Sequence, residues 1–265
     1  SSLCDEQTFQ GYCCGLHGMT ALRPTSDPST GPSTGRAPGK PPVLLVHGWA
    51  GSFERTWQRG GLVDLLRDAG REVLPFDLPG HGTAHKSHDP ADYEDLAGTL
   101  LARLADHETV DAVGFSLGAI TLLAAVVRMP AKFRKIVLAG IGDGVFMPHD
   151  PARTERILSG LEGRAAPDDL VARIFGKIGN ESHNDPLALA AVLRRPRQQP
   201  FTPEDLSHVP CDVLVAIGDK DFSSPADRLA SSLPKATIAT LKGVDHFRTP
   251  ESFDFIDAVL GFLGN

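Results

Sequence analysis

The chain has 265 residues, 41% of them hydrophobic, enough for one large core with room for an insertion, and a formal net charge of -7. Acidic and basic residues are interspersed, so no basic face gathers to hold phosphates and nucleic acid is not expected as a partner. The longest apolar stretch, Leu117 to Val127, is interrupted by Gly118 and Thr121 and stopped by Arg128, far short of the ~20 residues that cross a bilayer.

Residues 1–18 lack both a basic start and an apolar central run, which argues against a signal peptide and leaves a cytoplasmic location as the expectation. Three of the four cysteines, Cys4, Cys13 and Cys14, fall here, and the other is Cys211; neither zinc-ligand spacing nor a C-x-x-C pair results, so no metal site is expected. Residues 22–42 are built from Pro, Ser, Thr and Gly and offer no apolar face to repay ordering. Residues 1–41 therefore read as a flexible leader.

From Val43 onward, short β-rich runs alternate with helix-like segments. "VLLVHG" (43–48), "EVLPFD" (72–77), "VDAVGFS" (110–116), "KIVLAGI" (135–141), "DVLVAIG" (212–218) and "ATIATL" (236–241) read as buried strands. Near-continuous apolar strands joined by helices predict an α/β fold: a mostly parallel sheet of about six strands, covered on both faces. The core then comprises residues 42–141 and 212–265. The gap between them, 142–211, is too long for an ordinary crossover. Its segments "ARTERILSGL", "PDDLVARIFGKI" and "DPLALAAVLRR" have helical periodicity and predict an inserted helical lid. In the last helix Thr249 is expected to cap, Pro250 to occupy the first turn, and Phe253, Ile256, Val259, Leu260 and Leu263 to share one face.

Ser116 stands in "GFSLG", a weak pattern by itself in a chain with 27 glycines. Its context is stronger, because it closes an apolar strand and immediately precedes the helical run "LGAITLLAAVV", the strand-turn-helix setting of an exposed nucleophile. Gly114 and Gly118 would relieve crowding in such a turn, and the Leu117 amide would lie at a helix N-terminus, where developing negative charge is favoured. A serine hydroxyl needs a base, and histidine suits that work at neutral pH. Of ten histidines, His246 in "GVDHF" lies just beyond the last strand, at the carboxyl edge of the sheet. The carboxylate that orients it could be Asp219 or Asp221 in "IGDKDF", or Asp143 in "LAGIGD"; Asp245 is too close in sequence and reads as a turn residue.

The order Ser, Asp, His, with "HGWAGS" early and "FDLPGHG" next, resembles the α/β-hydrolase superfamily from about Pro42 to the C-terminus. The resemblance implies that the acid closes a G-x-x-D turn, matching Gly218 to Asp221, and that the loop after the first strand supplies a second oxyanion amide from Trp49. His47, Gly48 and His81 are then turn-shaping residues. Family members also carry an antiparallel hairpin before the His-Gly strand, which residues 1–40 do not suggest.

With serine at the nucleophile position, the resemblance implies hydrolysis of a small to medium apolar ester, thioester or lactone through an acyl-enzyme, and argues against dehalogenase or epoxide hydrolase chemistry. No cofactor is called for, since the side chains suffice, and the expected partner is a small-molecule substrate. Phe115, Phe146, Met147, Phe222 and Phe247 are the candidate walls of an apolar pocket, with Phe175 nearby. Carbon-carbon bond hydrolysis, cofactor-free peroxidation or acyl transfer would use the same triad. A non-enzymatic receptor is the outlying alternative.

Overall fold

A computed structural model describes residues 39–196 and 198–264; the leader, apart from its last residues, lies outside them. Six strands form one sheet in the order β2-β1-β3-β4-β5-β6, every neighbouring pair parallel. They are β1 (Val43–Val46), β2 (Val73–Leu74), β3 (Val110–Phe115), β4 (Phe133–Ala139), β5 (Asp212–Gly218) and β6 (Ala236–Leu241). Helices α1 (Leu62–Asp68), α2 (Leu96–Arg103) and α3 (Leu117–Arg128) belong to the first half. Between β4 and β5 come α4 (Pro151–Leu161), α5 (Leu170–Gly179), α6 (Pro186–Arg194) and α7 (Pro203–Ser207), followed later by α8 (Asp227–Ser232) and α9 (Phe253–Gly264).

Alternation along the strands divides the core into two layers. Leu44, Val46, Ala112, Ile136, Leu138, Val213 and Val215 pack under α2, α3 and α8. Val43, Leu45, Val113, Val137, Leu214 and Ala216 pack under α1 and α9. Strands buried on both faces explain why their sequences are continuously apolar.

Three expectations are corrected. Only Val73 and Leu74 of "EVLPFD" pair with the sheet, because this outer strand peels away into the turn that follows. The outer strand β6 is not buried throughout: Thr237, Ile238 and Thr240 are exposed, since β6 is the last strand of the sheet and, among the described residues, no further strand pairs with its outer edge. Helix α9 begins at Phe253, not after Thr249. The Thr249 hydroxyl donates to the Asp245 carbonyl at 3.0 Å, and Ser252 Oγ accepts from the Phe255 N–H at 3.3 Å in its place. Phe253 is consequently 84% exposed, while Phe255, Ile256, Val259 and Leu263 are buried.

The far end of α9 meets three cations. Lys40 donates to the Gly264 carbonyl, Lys135 to Phe262 at 2.9 Å and Arg71 to Leu263 at 3.0 Å, satisfying carbonyls that the helix cannot pair and countering its dipole. Arg71 also pairs with the buried Asp111 carboxylate of β3, which Arg134 shares. Among the described residues no helix is long and apolar enough to cross a membrane.

Candidate active site

The strand order reverses direction between β1 and β3, and in a sheet of this kind ligands bind outside the carboxyl ends of the strands at that point. Ser116 stands there. β3 ends at Phe115 and α3 starts at Leu117, so Ser116 alone makes the turn, with φ 53° and ψ -116°. Holding a serine in that region costs about 1–3 kcal/mol. A Cβ on Gly114 would stand 2.7 Å from Ala119 Cα, and one on Gly118 2.3 Å from the Val46 carbonyl oxygen. Glycine at both positions lets α3 begin pressed against the sheet and leaves the serine hydroxyl projecting from it.

His246 follows β6 on a loop that two other carboxylates shape. Asp219 accepts from the Gly243 N–H at 2.7 Å and Asp245 from the Arg248 N–H at 3.0 Å. The Asp221 carboxylate instead accepts from His246 Nδ1–H at 2.9 and 3.0 Å, and from the Ser223 N–H at 2.7 Å. A carboxylate can only accept, so Nδ1 carries the proton and Nε2 is left as an acceptor. The Ser116 hydroxyl donates to it at 3.0 Å. Asp221 and His246 are each 4% exposed. The competing acid, Asp143, accepts from the Leu229 N–H at 2.9 Å, near the start of α8.

The imidazole lies between aromatic rings. Phe222 is 4.3 Å from it centroid to centroid, Phe115 is 5.0 Å away, and Phe247 meets it edge-on at 5.6 Å. Gly140, with φ 65°, completes the seat, because a Cβ there would come within 2.7 Å of the Phe115 ring and 3.2 Å of His246 Cε1. Sequence reasoning passed over this residue. Its signal was a glycine placed directly after β4.

A cavity of about 380 Å³ opens at Ser116, with Ile120, Met147, Arg153, Arg195 and Phe222 in its wall. Met147 is 62% and Phe222 42% exposed. The other three expected wall residues are placed elsewhere. Phe115 is core beneath the histidine, and Phe146 is buried with the Arg228 guanidinium 4.3 Å over its ring. Phe247 turns to the Phe175 ring, 5.2 Å away. Nor is the wall simply apolar: two arginines, His149, Gln198 and Gln199 reach it from the segment between β4 and β5. Side-chain direction in these irregular segments is set by packing that sequence spacing does not report.

The loop after β1 runs beside the serine, since a Cβ on Gly48 would lie 3.2 Å from Ser116 Cβ. Its His47 is fully buried. Nδ1–H donates to the Gly48 carbonyl at 2.8 Å, and Nε2 accepts from the Leu78 N–H at 3.1 Å, an arrangement of the neutral ring. Burial holds its pKa down. His81 packs 5.2 Å from it and is lowered to about 3 by burial and by the neighbouring His47. Asp77 joins the loops after β1 and β2, accepting from Phe53 N–H and Thr83 N–H at 2.7 Å each. Although burial pushes its carboxyl up, those bonds hold it below the ordinary carboxylate value. Among the described residues no group of three or more His, Cys, Asp or Glu side chains is arranged to hold a metal ion. The Cys211 thiol is pushed up to about 11 by burial, which makes it a poor nucleophile.

Known proteins share this arrangement of the chain. The profile of the Alpha/beta hydrolase family matches residues 43–257. A 2-hydroxy-6-oxononadienedioate/2-hydroxy-6-oxononatrienedioate hydrolase of Pseudomonas putida is 26% identical over 256 residues, spanning 83% of this chain and 87% of its own. Among solved structures, a bromoperoxidase from Bacillus anthracis superimposes with a TM-score of 0.67 at 23% identity, covering 86% of this chain and 93% of that one. The enol-lactonase of Burkholderia xenovorans LB400 gives 0.67 at 18% identity, covering 87% and 94%. At such identities the two structures establish a common fold.

Proposed function

Because the chain belongs to the alpha/beta hydrolase family, we propose that it is a serine hydrolase cleaving a small to medium carboxylic ester, thioester or lactone through an acyl-enzyme. The observation that carries this reading is the unbroken line from the Asp221 carboxylate through His246 to the Ser116 hydroxyl, at 2.9 and 3.0 Å. Ser116 Oγ attacks the carbonyl carbon as its proton passes to His246 Nε2. Asp221 fixes the tautomer and stabilises the imidazolium. The amides of Leu117 and Trp49 serve as donors to the oxyanion, each such donor contributing about 3 kcal/mol in the transition state. His246 returns the proton to the leaving group, then activates the water that releases the acid.

A second reading is favoured by the cavity wall. Arg153 stands in a mixed wall, beside Ile120, Met147 and Phe222 on the apolar side and His149, Gln198 and Gln199 on the polar side, and the Pseudomonas relative is named for a dioate that a guanidinium would bind. On this reading the same triad hydrolyses a carbon-carbon bond next to a ketone. A fluorophosphonate should label Ser116, as mapped by peptide mass spectrometry, and Ser116→Ala should abolish both labelling and turnover. Assayed against graded esters, lactones and a dienoate diketone, preference for the esters and lactones supports the first reading and preference for the diketone the second. Labelling confined to another residue would overturn both.

A further inference from the structure

The loop Gly48–Gly51 has no strand or helix of its own to hold it in place, and it carries one of the two non-glycine residues with left-handed φ, Ala50 at 61°; Ser116 is the other among the described residues. An alanine is held in that conformation only when its surroundings over-determine it. The surroundings are the loop's own turn, in which the Gly51 N–H donates to the Gly48 carbonyl at 3.1 Å, and the helices between β4 and β5. The buried Ala50 methyl sits in a small hydrophobic cluster with Leu158 and Leu161 of α4 and Leu189, Ala190 and Leu193 of α6. Trp49 Nε1–H donates to the Leu189 carbonyl at 3.1 Å, and its ring meets Phe175 of α5 edge-on at 5.7 Å. A Cβ on Gly179 would stand 3.1 Å from the far corner of the indole.

Asn184 completes the set. Its amide nitrogen donates to the Ala50 carbonyl at 3.2 Å and to the Ile178 carbonyl at 3.0 Å, tying the loop to the end of α5. Both neighbours are carbonyl oxygens, so the amide has only one sensible orientation. Its Oδ1 is buried with no partner among the described residues, a standing cost that a small apolar residue would avoid. What asparagine provides here is the pair of N–H bonds.

We infer that Asn184, with the Trp49 indole as its counterpart, is a positioning residue for the loop that presents the Trp49 amide to the oxyanion, so that the inserted helices act as a clamp on the catalytic edge. Asn184 touches no reacting atom. It acts by fixing the Ala50 carbonyl, and through it the orientation of the adjoining peptides. The inference rests on the serine hydrolase reading for its catalytic consequence and on the bonds alone for its mechanical one.

Two measurements separate these. In Asn184→Ala and in the near-isosteric Asn184→Asp, which replaces the donor by an acceptor facing two carbonyls, kcat should fall by between about 10-fold and the roughly 100- to 1,000-fold that loss of an oxyanion donor costs. KM should stay within about threefold, because substrate binding is not the function removed. Backbone hydrogen exchange of residues 48–52 should accelerate while that of β3 and β4 is unchanged. Trp49→Phe, which keeps an aromatic ring but loses the indole N–H together with the second ring, leaves Asn184 in place and should give the same pattern from the other side of the clamp. Unchanged exchange and turnover in all three variants would overturn the clamp, as would losses that vanish when assays are run further below the unfolding midpoint. If the parent chain is not labelled at Ser116, the hydrolase reading fails instead, and the exchange result still decides whether the loop is held.

Discussion

At the scale of the residue, Asp221 and Asp143 differ in what their carboxylates hold. Each follows a strand ending at the same sheet edge, yet Asp221 accepts from the imidazole while Asp143 accepts from the Leu229 backbone. Under the proposed mechanism, Asp221→Asn keeps the shape but presents an amide that can stabilise the wrong tautomer, and kcat should fall about 10³- to 10⁴-fold. Asp143→Ala should leave kcat within a few-fold and cost about 1 kcal/mol of stability, the ordinary worth of a side chain satisfying a helix-start N–H. Steady-state kinetics and urea denaturation of the two variants check this. The contact between Ser116 and His246 was readable in advance because each ends or follows a strand, and parallel strands deliver their carboxyl ends to one edge. The seat of the imidazole was not readable. Gly140 acts through the volume it leaves to Phe115 and His246, residues 25 and 106 positions away, and no local pattern encodes a missing side chain.

Among the elements, the helices between β4 and β5 announce themselves by their starts. Asp150, Asp169 and Asp185 each accept from a backbone N–H in the first turn that follows, and Pro151 and Pro186 sit where a missing N–H does no harm. These are contacts within a few residues, so the chain displays them directly. Helix α7 escaped notice because five residues are too few for periodicity to show, although Thr202 and Asp205 form a capping box around it. The packing of α4 on α5 was equally hidden. A Cβ on Gly160 would stand 1.9 Å from the Ala172 carbonyl oxygen, and one on Gly176 2.2 Å from the Gly160 carbonyl oxygen. Gly160→Ala should therefore force these backbones apart at about 1–3 kcal/mol, the usual cost of overpacking. The expected result is a lowered thermal midpoint and earlier proteolysis within residues 150–180. An unshifted midpoint would mean that the two helices are free to separate.

For the molecule as a whole, the two buried histidines at the loops after β1 and β2 set an acid limit. His81 has a folded pKa of about 3 against 6.5 for the free side chain, lowered by burial and by His47. Between those values the unfolded chain binds a proton that the folded chain refuses, so stability is full above about pH 6.5 and declines as the pH falls toward 3. His47, also lowered by burial, adds in the same direction. Urea midpoints at pH 7, 5.5 and 4.5 should fall in that order, and His81→Asn should flatten the decline even if it lowers stability at pH 7. An equally steep decline in the variant would place the acid sensitivity elsewhere. The sequence by itself determined the order of strands and helices, the parallel sheet, most helix starts and the residues worth testing as a triad, because periodicity, capping and strand ends are written over spans of a few residues. Only the tertiary structure decided which phenylalanines reach the cavity, that its wall carries arginines, that β6 is an exposed edge, and that the helices between β4 and β5 contact the loop beside Ser116. Those facts belong to side chains brought together from distant positions, whose directions follow from packing in three dimensions.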